Sequence, residues 1–335
     1  MKIISLLFFS FSMTLACFAQ TSAQKLDRIF NTTYWHSIIS KGDNLPDFDR
    51  RKDNIDRFLV SLFEDISPED FMEKAGWTND MFNEKVKLLI GKGWLKKDGD
   101  KLYPTVFIVS EPVGKQLYEY ALPLANEIAG SIEEYEPFIR EKFVADGLGS
   151  VSKFKDLSFL ILSDGLLDNW QIMKVESAFL KQENRPERHG KYYYAAILEI
   201  SEKEYEPFRI YGNQSGKIND STWLNIYGNN RISANKDLQN REFCDSVMAN
   251  ALTLTTKFHN FFEETASAYH PKLIKILEDN REYSMDIFKK AGYSDKIRFE
   301  EFFIWWYHFI YTEATNILAE KNILTIPLSG NFFYR

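Results

Sequence analysis

The chain has 335 residues, a formal net charge of −7, 44% hydrophobic and 16% aromatic content, and two cysteines. An acidic chain is repelled by phosphate backbones unless its cations cluster, and the densest cationic stretch here is the short Arg185–Lys191. Cys17 sits near the N-terminus and Cys244 is the only other cysteine, which excludes an intramolecular disulfide and a cysteine-rich zinc site once the N-terminal segment is removed.

Met1–Ala19 places Lys2 before an apolar run from Ile3 to Leu15, with small residues ahead of Gln20. That is the pattern of a secretory signal peptide. The run is about 13 residues long, too short to span a bilayer. Cleavage after Ala19 releases a soluble product. Thr14-Leu15-Ala16-Cys17 also resembles a lipoprotein box, in which Cys17 would carry lipid, but a threonine stands where leucine is usual. The reading favours soluble export to the periplasm or cell envelope over a lipid anchor. The remaining chain of about 315 residues accommodates two or three domains.

Lys25–Ser40 reads as a helix carrying Leu26, Ile29, Phe30, Tyr34 and Trp35, and Gly42–Asp49 as a loop. Helical apolar spacing recurs at Ile55, Phe58, Leu59 and Leu62. Ser67-Pro68-Glu69-Asp70 is a helix start, with a serine cap, proline in the first turn and acids at the positive end of the dipole. That helix ends at Gly76. Thr78 caps another, which runs to about Ile90 with Gly91 and Gly93 behind it. Asp98-Gly99-Asp100 then joins two short strands, Trp94–Lys97 and Lys101–Tyr103, as a hairpin.

Three helices and a two-stranded wing over residues 55–109 resemble the winged helix-turn-helix domain of transcription regulators. The resemblance implies a fold whose third helix enters the major groove of DNA. The expected exposed face of that helix, Asn79, Asp80, Asn83, Glu84 and Lys87, points acids at a groove, and the wing dilutes Lys96, Lys97 and Lys101 with Asp98 and Asp100. Nucleic acid is therefore not the expected partner. A fold of this kind also serves protein interaction.

Glu111–Val144 has a helical pattern interrupted by Pro123, Gly130 and Pro137. Phe159–Leu162 and Tyr192–Ile200 read as buried strands, with a helix over Leu166–Leu180 after Ser163-Asp164. Phe208–Tyr211 and Trp223–Tyr227 read as further strands, each closed by a Tyr-Gly-Asn turn at 211–213 and 227–229. Helices follow over Asp237–Leu252, Thr256–Tyr269 and Pro271–Arg281. Asp286–Ser294 then echoes Asp70–Thr78, and Asn322–Tyr334 reads as strand, turn, strand, which suggests a second winged-helix-like unit over residues 274–335. The helix containing Phe302–Ile310 is apolar nearly all round, as a central buried helix is.

The expected fold is α+β and mainly helical, with winged-helix-like units at both ends of a mixed central region. The expected division is a signal peptide (1–19), an N-terminal unit (25–109), a helical connector (110–150), a mixed α/β region (151–235) and a C-terminal helical unit (236–335).

Chemistry is sparse. The five histidines form no HExxH pattern, and neither a Gly-x-Ser-x-Gly elbow nor a phosphate loop is present, so no catalytic, metal or cofactor site is assigned. Asp164 and Asp168 stand four apart at a helix start. The reading makes Asp164 a cap and leaves Asp168 solvated, because acid–base work would need both in a pocket with separated pKa values. The most site-like stretch is Arg185–Tyr194. Its candidate ligand residues are Arg185, Arg188, His189, Tyr192 and Tyr194, with Asn213 and Asn229 of the two Tyr-Gly-Asn turns beside them. A solvated connection before a core strand is the plainer account of the stretch. The expected function is an exported, non-enzymatic envelope protein that binds a protein partner or a small polar ligand. The alternatives are a winged-helix DNA-binding regulator, cytosolic or membrane-tethered, and a hydrolase built on His189 and a central acid.

Overall fold

Thr21 opens helix α1 (Ser22–Asn31) with a reciprocal cap: its hydroxyl accepts the Gln24 N–H at 3.3 Å, and Gln24 Oε1 accepts the Thr21 N–H at 3.0 Å. In this computed structural model, which describes residues 20–41, 44–200, 210–219, 222–229, 251–327 and 330–334, the helix stops at Thr32. Strand β1 (Thr33–Ser40) follows, so the helix expected over Lys25–Ser40 is half strand. Thr33, Tyr34, Trp35, Ile38 and Ile39 are β-branched or aromatic, and such side chains pack best on a pleated surface.

The next elements match the expected ones. Helices α2 (Ile55–Phe63), α3 (Pro68–Ala75) and α4 (Asn79–Gly91) precede a hairpin of β2 (Leu95–Asp98) and β3 (Lys101–Pro104). Ser67 accepts from the Asp70 N–H at 3.0 Å and Thr78 from the Met81 N–H at 3.2 Å. Gly76 ends α3 in the left-handed region at φ 68°, where a glycine carries no Cβ penalty. Phe58, Phe71 and Trp77 lock the three helices together, with ring centroids 5.0–5.1 Å apart.

After β4 (Phe107–Val109), helix α5 (Glu111–Ala145) runs unbroken through Pro123 and Pro137. Both prolines are exposed, and side chains of neighbouring helices donate to α5 carbonyls one turn before the first: Trp306 Nε1 to Leu117 at 3.0 Å and the Tyr283 hydroxyl to Tyr120 at 2.8 Å. Tertiary packing thus overrides the local breaker. Helix α6 (Phe154–Phe159) passes into a π-turn at Leu160–Gly165, where a strand was expected, and α7 (Ile172–Lys174) passes into another at Val175–Phe179. A short run buried on all sides has no period that separates strand from helix.

Two four-stranded sheets complete the fold. In the first, β6 (Lys191–Ile200) is central, antiparallel to β1, parallel to β4 and hairpinned to β5 (Glu187–Arg188). The second runs β7 (Tyr211–Asn219), β8 (Thr222–Asn229), β10 (Asn331–Tyr334), β9 (Leu252–Thr253). The two Tyr-Gly-Asn triplets are therefore not turns. They face each other across the β7–β8 ladder, Tyr211 opposite Asn229, Gly212 opposite Gly228 and Asn213 opposite Tyr227.

Helix α8 (Thr256–Asp279) is continuous through Pro271, where two helices were expected; α9 (Arg281–Lys290) and α10 (Phe299–Glu320) follow. The segment 322–327 forms no strand, and β10 pairs with β8 rather than in a terminal wing. The leader with Cys17, and all but the last two residues of the helix expected over Asp237–Leu252, lie outside the described residues. The fold is α+β and mainly helical, with one continuous apolar core reaching from Leu26 to Phe333. Its spine is α10, buried at every position from Phe302 to Thr312. Glu301, at its start, accepts the Ala195 N–H of β6 at 2.9 Å. About three turns on, Thr312 Oγ1 accepts the Tyr211 N–H of β7 at 3.0 Å. One helix therefore fastens both sheets. Among the described residues no helix is long and apolar enough to cross a membrane.

Candidate functional site

The Arg185–Tyr194 stretch is built into the core more deeply than its composition suggests. His189 (φ 54°) and Gly190 (φ 74°) are both left-handed and form the two-residue turn between β5 and β6. This turn inverts the chain so that Arg188 points inward. All five guanidinium N–H groups of Arg188 are used: Nη2 on Glu301 Oε2 at 2.7 Å and on the Thr105 carbonyl at 3.0 Å, Nη1 on Thr105 Oγ1 at 3.0 Å and on the Gly93 carbonyl, and Nε on the Tyr193 carbonyl at 3.3 Å. No donor is left for a ligand, so Arg188 is a structural residue. Gly93 permits this approach, because a Cβ there would lie 3.3 Å from Arg188 Cα.

Arg185 forms a fork on Glu176, Nε to Oε1 at 2.7 Å and Nη2 to Oε2 at 3.2 Å. Burial pushes the Glu176 carboxyl up, and Arg185 pulls it back. Arg185 Nη1 is buried with no partner among the described residues, and so is the Tyr194 hydroxyl, whose pKa burial raises first and the charges of Glu176 and Glu301 raise further. Tyr192 and Tyr194 do not share one environment: Tyr192 is exposed at the strand's start, whereas Tyr194 is fully buried. Tyr193, between them, accepts the Trp94 Nε1–H at 2.8 Å. His189 is exposed at the turn tip.

Asn213 belongs to a second cluster. Its Nδ2 donates to Asp164 Oδ1 at 2.5 Å and to Asp168 Oδ2 at 3.2 Å. Of Asn229 only the backbone, opposite Tyr211, is among the described features. Both aspartates are buried, so Asp168 is not the solvated acid that its sequence position suggests. Asp164 sits in the π-turn and accepts the Asn169 N–H at 3.4 Å. Burial raises the Asp168 carboxyl to about 7, against hydrogen bonds from Tyr311 and Asn213 that pull it down. Around the pair, the Ser163 hydroxyl bonds Tyr227 and Thr315, and the Tyr307 hydroxyl donates to the Leu167 carbonyl at 2.8 Å.

One surface corner lies beside helices α2–α4 and the β2–β3 hairpin. Leu45 is 50% exposed, and Ile90 and Tyr192 are each 42% exposed. Asn44 Oδ1 accepts the Tyr192 N–H at 3.2 Å, and Lys92 Nζ pairs with Asp47 Oδ2 at 2.8 Å, holding the Asp47 carboxyl below its usual range. These contacts bring the 44–47 loop, the end of α4 and the β5–β6 turn together. The outward face of α4 is Asn79, Asp80, Asn83, Glu84 and Lys87, as the helical period implies, whereas Lys85 turns inward between Asp53 at 2.8 Å and Glu84 at 3.1 Å. Among the described residues no group of three or more His, Cys, Asp or Glu is arranged to hold a metal ion. His308 is buried and held neutral, its pKa pushed down to about 4 by burial.

Comparison with known proteins gives no match, whether with family models, curated proteins or solved structures.

Proposed function

We propose that this chain is an exported, non-enzymatic envelope protein that binds a protein partner through its winged-helix-like unit and the adjoining β5–β6 turn. The observation that carries the reading is the placement of charge on α4. Its outward face offers Asp80 and Glu84 against Lys87, and the neighbouring cation Lys85 is buried in an ion pair. Asn79 and Asn83 offer amides there, but a groove-binding helix also needs cations around it for phosphate contacts, and the acids Asp80 and Glu84 oppose those. A protein-binding one needs mixed polarity with apolar groups beside it, as Ile90, Leu45 and Tyr192 supply. Export rests on the Met1–Ala19 leader.

Two measurements test this. A reporter fused to residues 1–24 should leave the cytoplasm, and its retention there would sink the export reading. A photo-crosslinking residue at Ile90 or Tyr192 should capture one protein in the native envelope that the same residue at Leu122, exposed on α5, does not. A DNA mobility shift that weakens as salt rises would transfer the unit to nucleic acid. A small polar ligand is the second reading, favoured by Arg185 Nη1 and the Tyr194 hydroxyl, two buried donors with no acceptor among the described residues. Thermal stabilisation by a small carboxylate, lost in Arg185→Gln, would support it.

A further inference from the structure

We infer that the open edge of β1 is a self-association site, at which a second copy of this chain adds its own β1 antiparallel about a two-fold axis through Ser37. β1 pairs with β6 along all eight of its residues, from Thr33 opposite Ile200 to Ser40 opposite Tyr193, with no bulge, and it is the last strand of its sheet. Among the described residues no further main chain bonds its outer side. Every residue from Trp35 to Ser40 is partly exposed. His36 shows which main-chain groups are open. The residue is partly exposed although its side chain, against Asp56, is only 3% exposed, so what water reaches is its main chain. In an antiparallel ladder alternate residues turn their N–H and C=O groups toward and away from the paired strand. Tyr34, His36, Ile38 and Ser40 therefore carry the outward groups of β1.

Edge strands of this length are ordinarily blunted by a lysine, a proline or a bulge. Thr33–Ser40 contains no lysine, arginine, acid or proline. Symmetry and sequence both choose a second copy as the occupant. A two-fold axis makes an antiparallel strand its own complement, since each outward N–H meets an outward C=O of the same residue set. Of the registers this allows, one pairs all four outward residues: Tyr34 with Ser40 of the second copy, His36 with Ile38 of the second copy, and the reverse. That register centres on Ser37 and sets Trp35 opposite Ile39 of the second copy in a close, non-hydrogen-bonded pair. An aromatic against a β-branched side chain is a favourable cross-strand pair, and the axis supplies it twice. Trp35 and Ile39 are partly exposed, so pairing covers apolar surface that the monomer leaves in water. Ser37, small and uncharged, meets its own copy at the axis, so no like charges are opposed.

β4, beyond β6, is buried at all three residues, so growth of this sheet stops at two copies. A seam of eight residues is about 27 Å long and, at a sheet thickness of about 10 Å, falls short of the about 1,200 Å² that stable complexes bury. The dimer is therefore weak and forms as concentration rises.

Sedimentation of the purified protein from about 1 μM to about 1 mM reads this directly. The expected result is a shift from monomer to dimer within that range. Ser37→Lys sets two ammonium groups at the axis and leaves the β1–β6 bonds in place; it should weaken the dimer by about tenfold or more. Ile38→Pro removes an N–H that β6 does not use and should do the same. A wild type that stays monomeric to about 1 mM, or a dimer that both variants leave unchanged, overturns the proposal. A crosslink checks the register without weakening the strand. Ser37→Cys should give a disulfide-linked dimer under mild oxidation, because facing Cα atoms about 4.5 Å apart lie within disulfide reach. Thr33→Cys, far from the axis, should give no more than the wild-type chain with its Cys244. Crosslinking at Thr33 and not at Ser37 overturns the proposal. Protection of the β1 amides that arises only when a different protein is added would overturn it too, and would hand the edge to that protein.

Discussion

At the start of α10, Glu301 is buried against Arg188, which lies 2.7 Å away and is itself 3% exposed at the side chain. Farther along the same helix, Asp168 is buried against Tyr311 and Asn213, with a second carboxylate, Asp164, on the same amide. Both regions take an acid out of water, and an unpaired buried charge is expensive. The first neutralises it with a guanidinium, which stays charged at any ordinary pH. In the second, the Asn213 amide donates to both acids, and burial raises the Asp168 carboxyl to about 7. One helix thus holds one sheet through an ion pair and the other through hydroxyls, Thr312 accepting the Tyr211 N–H and Tyr311 donating to the Tyr211 carbonyl.

The sharpest way to break this contrast is to remove the permanent cation. Arg188→Met leaves Glu301 buried alone and strips donors from the Gly93, Thr105 and Tyr193 carbonyls. It should cost about 3–5 kcal/mol in denaturant unfolding, and a loss under about 1 kcal/mol would mean that Glu301 is neutral without it. A packing change probes the other region. A Cβ on Gly165 would meet Phe262 Cδ1 at 2.9 Å, and Phe262 is fully buried. Gly165→Ala should cost about 1–3 kcal/mol by overpacking. It should also displace the π-turn that carries Asp164, so exchange protection should fall in β7 and hold in β6.

Legibility followed locality. The capped helices α3 and α4 and the Asp-Gly hairpin were readable because Ser67, Thr78, Gly76 and Gly99 determine their own backbone. The β5–β6 turn escaped because His189 stands where Asn or Asp usually signals it, although histidine also tolerates the left-handed region. The prolines of α5 and α8 misled because groups from elsewhere in the chain bond those helices, Trp306 and Tyr283 on α5 and Gln171 Nε2 on the Ala266 carbonyl of α8 at 2.7 Å. Arg188 and Asn213 were singled out as candidate ligand residues, but their partners in the fold lie far away in sequence, Glu301 for one and Asp164 with Asp168 for the other. No local pattern separates a buried arginine from a ligand-binding one. The spacing of Asp164 and Asp168 was visible; their shared burial depends on β7 and α10.

The cap of α3 offers a smaller test, in a unit that relies on neither device. Ser67→Ala removes one hydrogen bond to the Asp70 N–H and should cost about 1 kcal/mol in denaturant unfolding, with no selective loss of exchange protection in β7.

The smallest expected effect lies on the outward face of α4. Asn83 and Lys87 are exposed, so their polar groups keep their water in the folded state and need neither a cation nor a proton to offset desolvation. Asn83→Ala with Lys87→Ala should therefore leave stability within about 0.5 kcal/mol of the wild type. If that face meets a protein partner, the same pair of changes should reduce capture of the partner by a crosslinker at Ile90 while the unfolding midpoint stays put. Unchanged capture would move the contact to the Leu45 and Tyr192 side of the corner. A large loss of stability would mean instead that these two residues are buried in the folded molecule's own packing, and the division between a surface that binds and a core that neutralises its charges would not hold.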